Sequence, residues 1–222
     1  MIAVRFFSRF LSILFHPLFL VSYLLLSLLL VNPYLFGVND WQGQNKFLLL
    51  VFISTAFLPA VSILIMKGLG LIRSIQMESA KDRIGPYIAT AIFYTWLFRN
   101  LLDNPEIPKV FISCVLGATL ALFMDFVINN FSKISAHATG MGGFVSLAII
   151  LENSYNPGSF FIKTSMFGHL QISMLLFLIG MILIAGAVCT ARLFLRAHTF
   201  DQVAGGFLVG FCAQVIAYLI IV

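Results

Sequence analysis

The sequence predicts one all-α domain over residues 1–222, a polytopic transmembrane helical bundle of about six to seven helices. Three observations lead there. Apolar residues make up 61% of the 222 positions and charged residues only 9%, against roughly a quarter charged in a soluble domain. Mean hydropathy is +1.05. Apolar runs near the ~20 residues that cross hydrocarbon recur from end to end, leaving no polar stretch long enough for a separate soluble catalytic domain.

The first run follows Arg5 and Arg9 and continues to Val31. It is longer than a signal-peptide core and ends in Asn32-Pro33 without a small-residue cleavage pattern, so it is expected to remain as a helix. Further runs cover 47–66, 86–102, 108–129, 137–151, 170–195 and 202–222. Pro86 and Pro108 suit first-turn positions, where a missing N–H costs nothing. The run 86–102 is short, and Arg99 within it must snorkel.

Cys114, Cys189 and Cys212 each sit inside an apolar run without metal-ligand spacing, and are expected to be buried small hydrophobes. The formal charge of +5 is not gathered into a basic run with interleaved aromatics. No nucleic acid partner is therefore expected; the bilayer and its anionic headgroups are the natural partners of the loop cations Arg5, Arg9, Lys67 and Arg73.

Three polar clusters interrupt the apolar sequence, at 77–87, 132–143 and 191–206. Two predicted crossings separate each from the next, so all three should lie on one membrane face. His16 and His169 read as structural. His137 and His198 differ because each arrives with polar company at a helix end, where ionisable groups near hydrocarbon are a functional hypothesis. Gln202 lies one turn beyond His198, and Arg192 six residues before it. A histidine with a positioned partner, a nearby arginine and a second histidine suit phosphate-ester hydrolysis through a covalent intermediate. The arginines would hold the charged oxygens, and the chemistry calls for no metal or cofactor.

These residues resemble the type 2 phosphatidic acid phosphatase (PAP2) superfamily of membrane lipid phosphatases and vanadium haloperoxidases. The family's third motif is Ser-Arg, five residues, His, three residues, Asp; Ala191-Arg192, His198 and Gln202 match its spacing. Gln202 stands where the family usually has Asp, as in the dolichyl-diphosphatase branch, and Asp201 one position earlier is the other candidate. The second motif, Pro-Ser-Gly-His, is met by Ile134-Ser135-Ala136-His137. The first, Lys, six residues, Arg-Pro, fails in strict register: Pro86 aligned puts Gly85 at the arginine and Glu78 at the lysine. Lys81 and Arg83 offer positive charge in a shifted register.

The resemblance implies a PAP2/haloperoxidase-like helical core in a bacterial inner membrane and a membrane lipid substrate, a phosphate monoester or polyprenyl diphosphate. It implies His198 as nucleophile, Gln202 or Asp201 orienting its ring, and His137 protonating the leaving oxygen. Arg192, Ser135 and Lys81 or Arg83 would bind the phosphoryl oxygens. The alternative is a catalytically inactive relative that binds lipid or serves as structure; a transporter would call for a duplicated pattern in the two halves, and none is visible. Gly140, Gly142, Gly143, Gly205, Gly206 and Gly210 are expected to permit close helix approach, and Asp125 to pair with Lys133 or a site arginine. Basic residues favour the motif side nine to four, which by the positive-inside rule is cytoplasmic. Phosphate binding is itself a sufficient cause for four of those nine, and related lipid phosphatases act on the periplasmic face, so a periplasmic site is expected.

Overall fold

The computed structural model describes residues 2–77, 79–154, 158–164 and 168–222, with the side chains of 161–164 and of His169 outside the description. Its first departure from expectation is at His16-Pro17. One helix was expected through to Val31, but α1 (Ile2–Leu14) and α2 (Pro17–Val31) meet at 66°. The cause is local: a residue before proline is pushed out of the helical region. His16 accordingly adopts φ −66°, ψ 137° and accepts the Leu18 N–H on Nδ1 at 3.4 Å as the N-cap of α2.

After two short 3-10 turns, one helical rod contains α3 (Asn45–Phe52), a π-helical turn (Ile53–Phe57) and α4 (Leu58–Gly68). Pro59 has no N–H for the Thr55 carbonyl four residues back. The buried Tyr94 hydroxyl donates there instead, at 3.4 Å.

Helix α5 (Ala80–Leu102) begins six residues before the predicted start, because Ser79 caps it by accepting the Asp82 N–H at 3.2 Å. Pro86 therefore lies inside the helix rather than in its first turn. At 23 residues α5 is about 34 Å long, longer than the predicted run, though it is not among the helices apolar enough to cross. Pro108 sits just outside α6 (Lys109–Asn129) as its N-cap.

Helix α7 (Ala136–Ser154) leads into an antiparallel hairpin of β1 (Ser159–Thr164) and β2 (Gly168–Ser173), paired from Ser159↔Ser173 to Thr164↔Gly168. The expected helix from residue 170 is thus corrected. Residues 170–173 close β2, and Ser173 caps α8 (Met174–Phe194) by accepting the Leu176 N–H at 3.1 Å. Helix α9 (Phe200–Ile221) ends the chain.

The core centres on α2, whose Leu25, Leu28 and Leu29 are enclosed with Leu97, Phe111, Val115 and Leu147 of α5, α6 and α7. Helix α9 packs chiefly on α7 and α6. Two glycines set the α7–α9 distance: an added Cβ at Gly142 would lie 2.0 Å from the Phe207 carbonyl oxygen, and at Gly210 1.7 Å from that of Thr139. Gly205, expected to act likewise, faces open space.

The outer surface is apolar. Ile65, Ile92, Leu183 and Leu219 are all exposed, as suits contact with hydrocarbon. Among the described residues, four helical stretches are long and apolar enough to cross a membrane: Pro33–Gly68, α6, α8 and α9. Counting α1 and α2 as one bent span makes five. That is below the expected six to seven because α5 and α7 carry polar residues such as Asp82, Arg83, His137 and Glu152 in place of apolar ones. The chain is a membrane-embedded helical protein. Only Cys114 of the three cysteines is buried; Cys189 is half-buried and Cys212 exposed, because their helices present one flank outward.

Candidate functional site

The turn between α8 and α9 is built by local rules. The Arg196 N–H returns to the Leu193 carbonyl at 2.9 Å and the Ala197 N–H to that of Arg192 at 3.2 Å, with Arg196 left-handed at φ 52°. Glycine usually fills such a helix-ending position. Three residues later Thr199 and Gln202 form a reciprocal capping box at the start of α9.

That box fixes the Gln202 amide, and the amide fixes His198. Gln202 Oε1 accepts the Thr199 N–H at 3.4 Å and meets His198 Nδ1 at 3.1 Å. A carbonyl oxygen only accepts, so the His198 proton sits on Nδ1 and the Nε2 lone pair is free. Of the two candidates for orienting His198, Gln202 is the one in contact; Asp201 is exposed on the far side of the first turn.

The three polar clusters meet, and three hydrogen bonds to backbone carbonyls stitch them. Arg83 Nη1 donates to the Ile134 carbonyl at 3.1 Å, joining the first cluster to the second. Lys133 Nζ donates to the Ala197 carbonyl at 3.0 Å and the Ser135 N–H to the Gln202 carbonyl at 3.3 Å, joining the second to the third. Arg83 Nε is also bound, to the carbonyl of Met77 at 2.9 Å. Met77, at φ 48°, and Arg196 are the two non-glycine residues in the left-handed region among the described residues, and both flank the site.

Between the clusters lies a cavity of about 170 Å³ lined by Arg83, His137, Arg192 and His198 together with His16, Tyr87 and Thr90. Arg192 is the notable member. Its guanidinium Nε is buried and has no hydrogen-bond partner among the described residues, an arrangement that costs stability unless an acceptor arrives. His137 Nε2 lies 2.9 Å from the Ser12 carbonyl and must donate to it.

Two expected phosphate ligands are elsewhere. Lys81 is exposed on the outer first turn of α5 and does not line the cavity, because two residues turn a helix by about 200° and put it opposite the face that carries Arg83. Ser135 is fully buried, its hydroxyl accepting the Ala138 N–H at 3.4 Å where α7 starts; it shapes the helix end. Glu78 lies outside the described residues. Asp125, 2% exposed, accepts the Thr139 hydroxyl at 2.9 Å, and the charge of Arg83, one of its expected cations, acts on it.

His16 is the residue that sequence reasoning missed as part of the cavity. Its ring stands edge-on to that of His137, centroids 5.4 Å apart. The signal was available in His16-Pro17, a dipeptide that breaks a helix within an apolar run.

Burial, followed by the positive charges of Arg192, Lys133 and Arg83, outweighs the bond to Gln202 and lowers the His198 pKa to about 4. His198 is therefore neutral at physiological pH. The arrangement supplies a neutral imidazole with a free nitrogen, an unsatisfied arginine and a second oriented imidazole in one cavity. No family model, no curated protein and no solved structure matches this chain.

Proposed function

We propose that the chain is a membrane lipid phosphatase with a PAP2-like core, acting on a lipid phosphate monoester or a polyprenyl diphosphate through a phosphohistidine at His198. One observation carries the reading: His198 presents an unprotonated Nε2 into the cavity where Arg192 has a buried N–H without an acceptor. Phosphoryl oxygens would satisfy that N–H.

In the first step Nε2 of His198 attacks phosphorus, the bond from phosphorus to the leaving oxygen breaks, and His137 gives that oxygen a proton. Nε2–H of His137 is committed to Ser12 and burial keeps the ring neutral, so the proton is one that Nδ1 first takes from the bound phosphate monoanion and then passes to the leaving oxygen. Water then attacks the phosphohistidine, His137 takes its proton, and inorganic phosphate departs. Gln202 holds the His198 tautomer, while Arg192 and Arg83 stabilise the charge gathering on the transferred group.

Phosphate release from lipid monophosphates and polyprenyl diphosphates in detergent, with chemical trapping of phosphohistidine, tests this. Equal or faster turnover of soluble sugar phosphates would overturn the lipid assignment. The position of Lys81 outside the cavity favours a second reading, a relative that binds lipid phosphate without turning it over. Tight binding with no release by the wild-type chain would select it.

The proposed location is a bacterial inner membrane with the site on the periplasmic face. Ser132→Cys and Asn45→Cys, each in a background lacking native cysteines, report the face in intact cells. A membrane-impermeant reagent should label position 132; labelling at 45 alone would reverse the orientation.

A further inference from the structure

Helix α1 carries its amphipathic character inside out. Phe6, Phe7, Phe10, Ile13 and Leu14 are exposed, Phe6 at 74% and Ile13 at 69%, whereas Ser8 and Ser12 are buried at 4% and 7%, where α1 packs on α8. At helical spacing the five apolar side chains share one side, and Arg5, Ser8, Arg9 and Ser12 share the other. A water-facing helix would show the reverse. With two arginines and no acidic residue along its length, α1 suits the boundary between acyl chains and anionic headgroups. The 66° bend sets it across the direction of α2 rather than along it.

The C-terminal end of α1 is tied into the cavity. The last four carbonyls of a helix lack partners within it, and here each finds one. The Leu11 carbonyl takes the Phe15 N–H at 2.9 Å, that of Ile13 the His16 N–H at 3.3 Å, and that of Leu14 the Tyr23 hydroxyl at 3.0 Å. The fourth, that of Ser12, takes Nε2–H of His137 at 2.9 Å. His137 thus completes the helix end, and His16 in the same corner packs edge-on against its ring.

We infer that α1 is an interfacial helix that seats on an anionic bilayer surface and, through the Ser12 carbonyl, fixes the orientation of His137. The seating stands independently of any hydrolysis; the consequence for His137 as proton donor rests on the phosphatase reading. His137 is on this account oriented by a helix that the membrane itself holds in place.

The test uses the full chain lacking native cysteines, with a nitroxide at Phe6→Cys or Ile13→Cys, in phosphatidylcholine nanodiscs with and without phosphatidylglycerol. Positions 6 and 13 lie on the same side of the helix. An interfacial α1 places both labels at one depth, whereas a crossing α1 separates them by about 10 Å, seven residues at 1.5 Å each. Removing phosphatidylglycerol, or changing Arg5→Gln with Arg9→Gln, should move both labels toward water. The nitrogen resonances of the His137 ring should report a single Nε2–H tautomer while α1 is seated and a mixture once it is displaced. A 10 Å depth difference overturns the seating, as do short label-to-label distances between two copies, which would make a second chain the occupant. An unchanged His137 spectrum when the labels move overturns the coupling. Varying lipid alone on the otherwise native chain repeats the ring measurement without substitutions, and no readout depends on phosphate release.

Discussion

The turn at 191–206 and the segment at 77–87 both deliver an arginine to the same cavity, and they do so by different means. In the first, the contacts that build the turn span five residues or fewer: Gln202 with His198, Gln202 with Thr199, Arg196 with Leu193 and Ala197 with Arg192. Arg192 is left with an unsatisfied N–H. In the second, Arg83 spends its Nε on Met77 and one terminal nitrogen on Ile134, fifty-one residues away. The first region leaves an imidazole and a guanidinium with groups to offer a ligand, and the second holds the clusters together while adding positive charge.

The strongest way to break that contrast is His198→Ala. It should abolish phosphate release and phosphohistidine trapping while the protein elutes and melts as wild type; unchanged activity would end the mechanism. Arg192→Ala should cost roughly 2.7–4 kcal/mol of transition-state stabilisation, as loss of an oxyanion donor does, read as a fall of 10²–10³ in kcat. Lys81→Ala should leave kcat/KM near wild type, since its side chain is outside the cavity. A Lys81 effect as large as that of Arg192 would erase the distinction between the two regions.

Acidity sharpens the comparison. In the proposed mechanism His198 attacks unprotonated, and its pKa is lowered to about 4 by burial and its cationic neighbours, so kcat/KM should fall as pH drops through about 4. A limb near the ordinary value of 6.5 would mean that the cavity is wetter than its packing indicates. Gln202→Ala should lose both the ring orientation and about 1 kcal/mol of helix capping, measured as reduced kcat and a lower melting temperature. Gln202→Asp should be tolerated and Asp201→Ala silent. Smallest of all, Arg196→Gly should relieve about 1 kcal/mol of left-handed backbone cost, seen as a slightly raised melting temperature with kcat intact.

What could be read from the sequence follows the same division. Gln202 and His198 sit one helical turn apart, a relation that spacing specifies, and the Thr199–Gln202 box needs only local chemistry. The three clusters do meet, but the crossing count that predicted it used α5 and α7, which are not among the helices apolar enough to cross. Lys81 was misplaced because charge in a shifted register says nothing about which side of α5 meets the cavity. The bend at His16 and the start of α5 at Ala80 were misread although Pro17 and Ser79 announced them, since a long apolar run outweighed single-residue signals. The hairpin was hidden for a similar reason: residues 170–173 are apolar enough to join the helix that follows them. The edge-on pairing of His16 with His137 depends on tertiary packing across 121 positions of chain, which no local pattern encodes.

The glycine contacts between α7 and α9 have a mechanical consequence. Where Gly142 meets the Phe207 carbonyl and Gly210 that of Thr139, backbone touches backbone with no side chain left to yield, and the Ser135 N–H bolts the two helix starts together at Gln202. The wall holding His137 and His198 is therefore stiff, and their relative position is set as firmly as if the helices were one piece. Leu18 of α2 and Tyr87 and Thr90 of α5 also line the cavity, Thr90 with its hydroxyl donated to the Pro86 carbonyl at 2.7 Å. A cavity walled by backbone on backbone keeps its two imidazoles in register without relying on any side chain to hold them there.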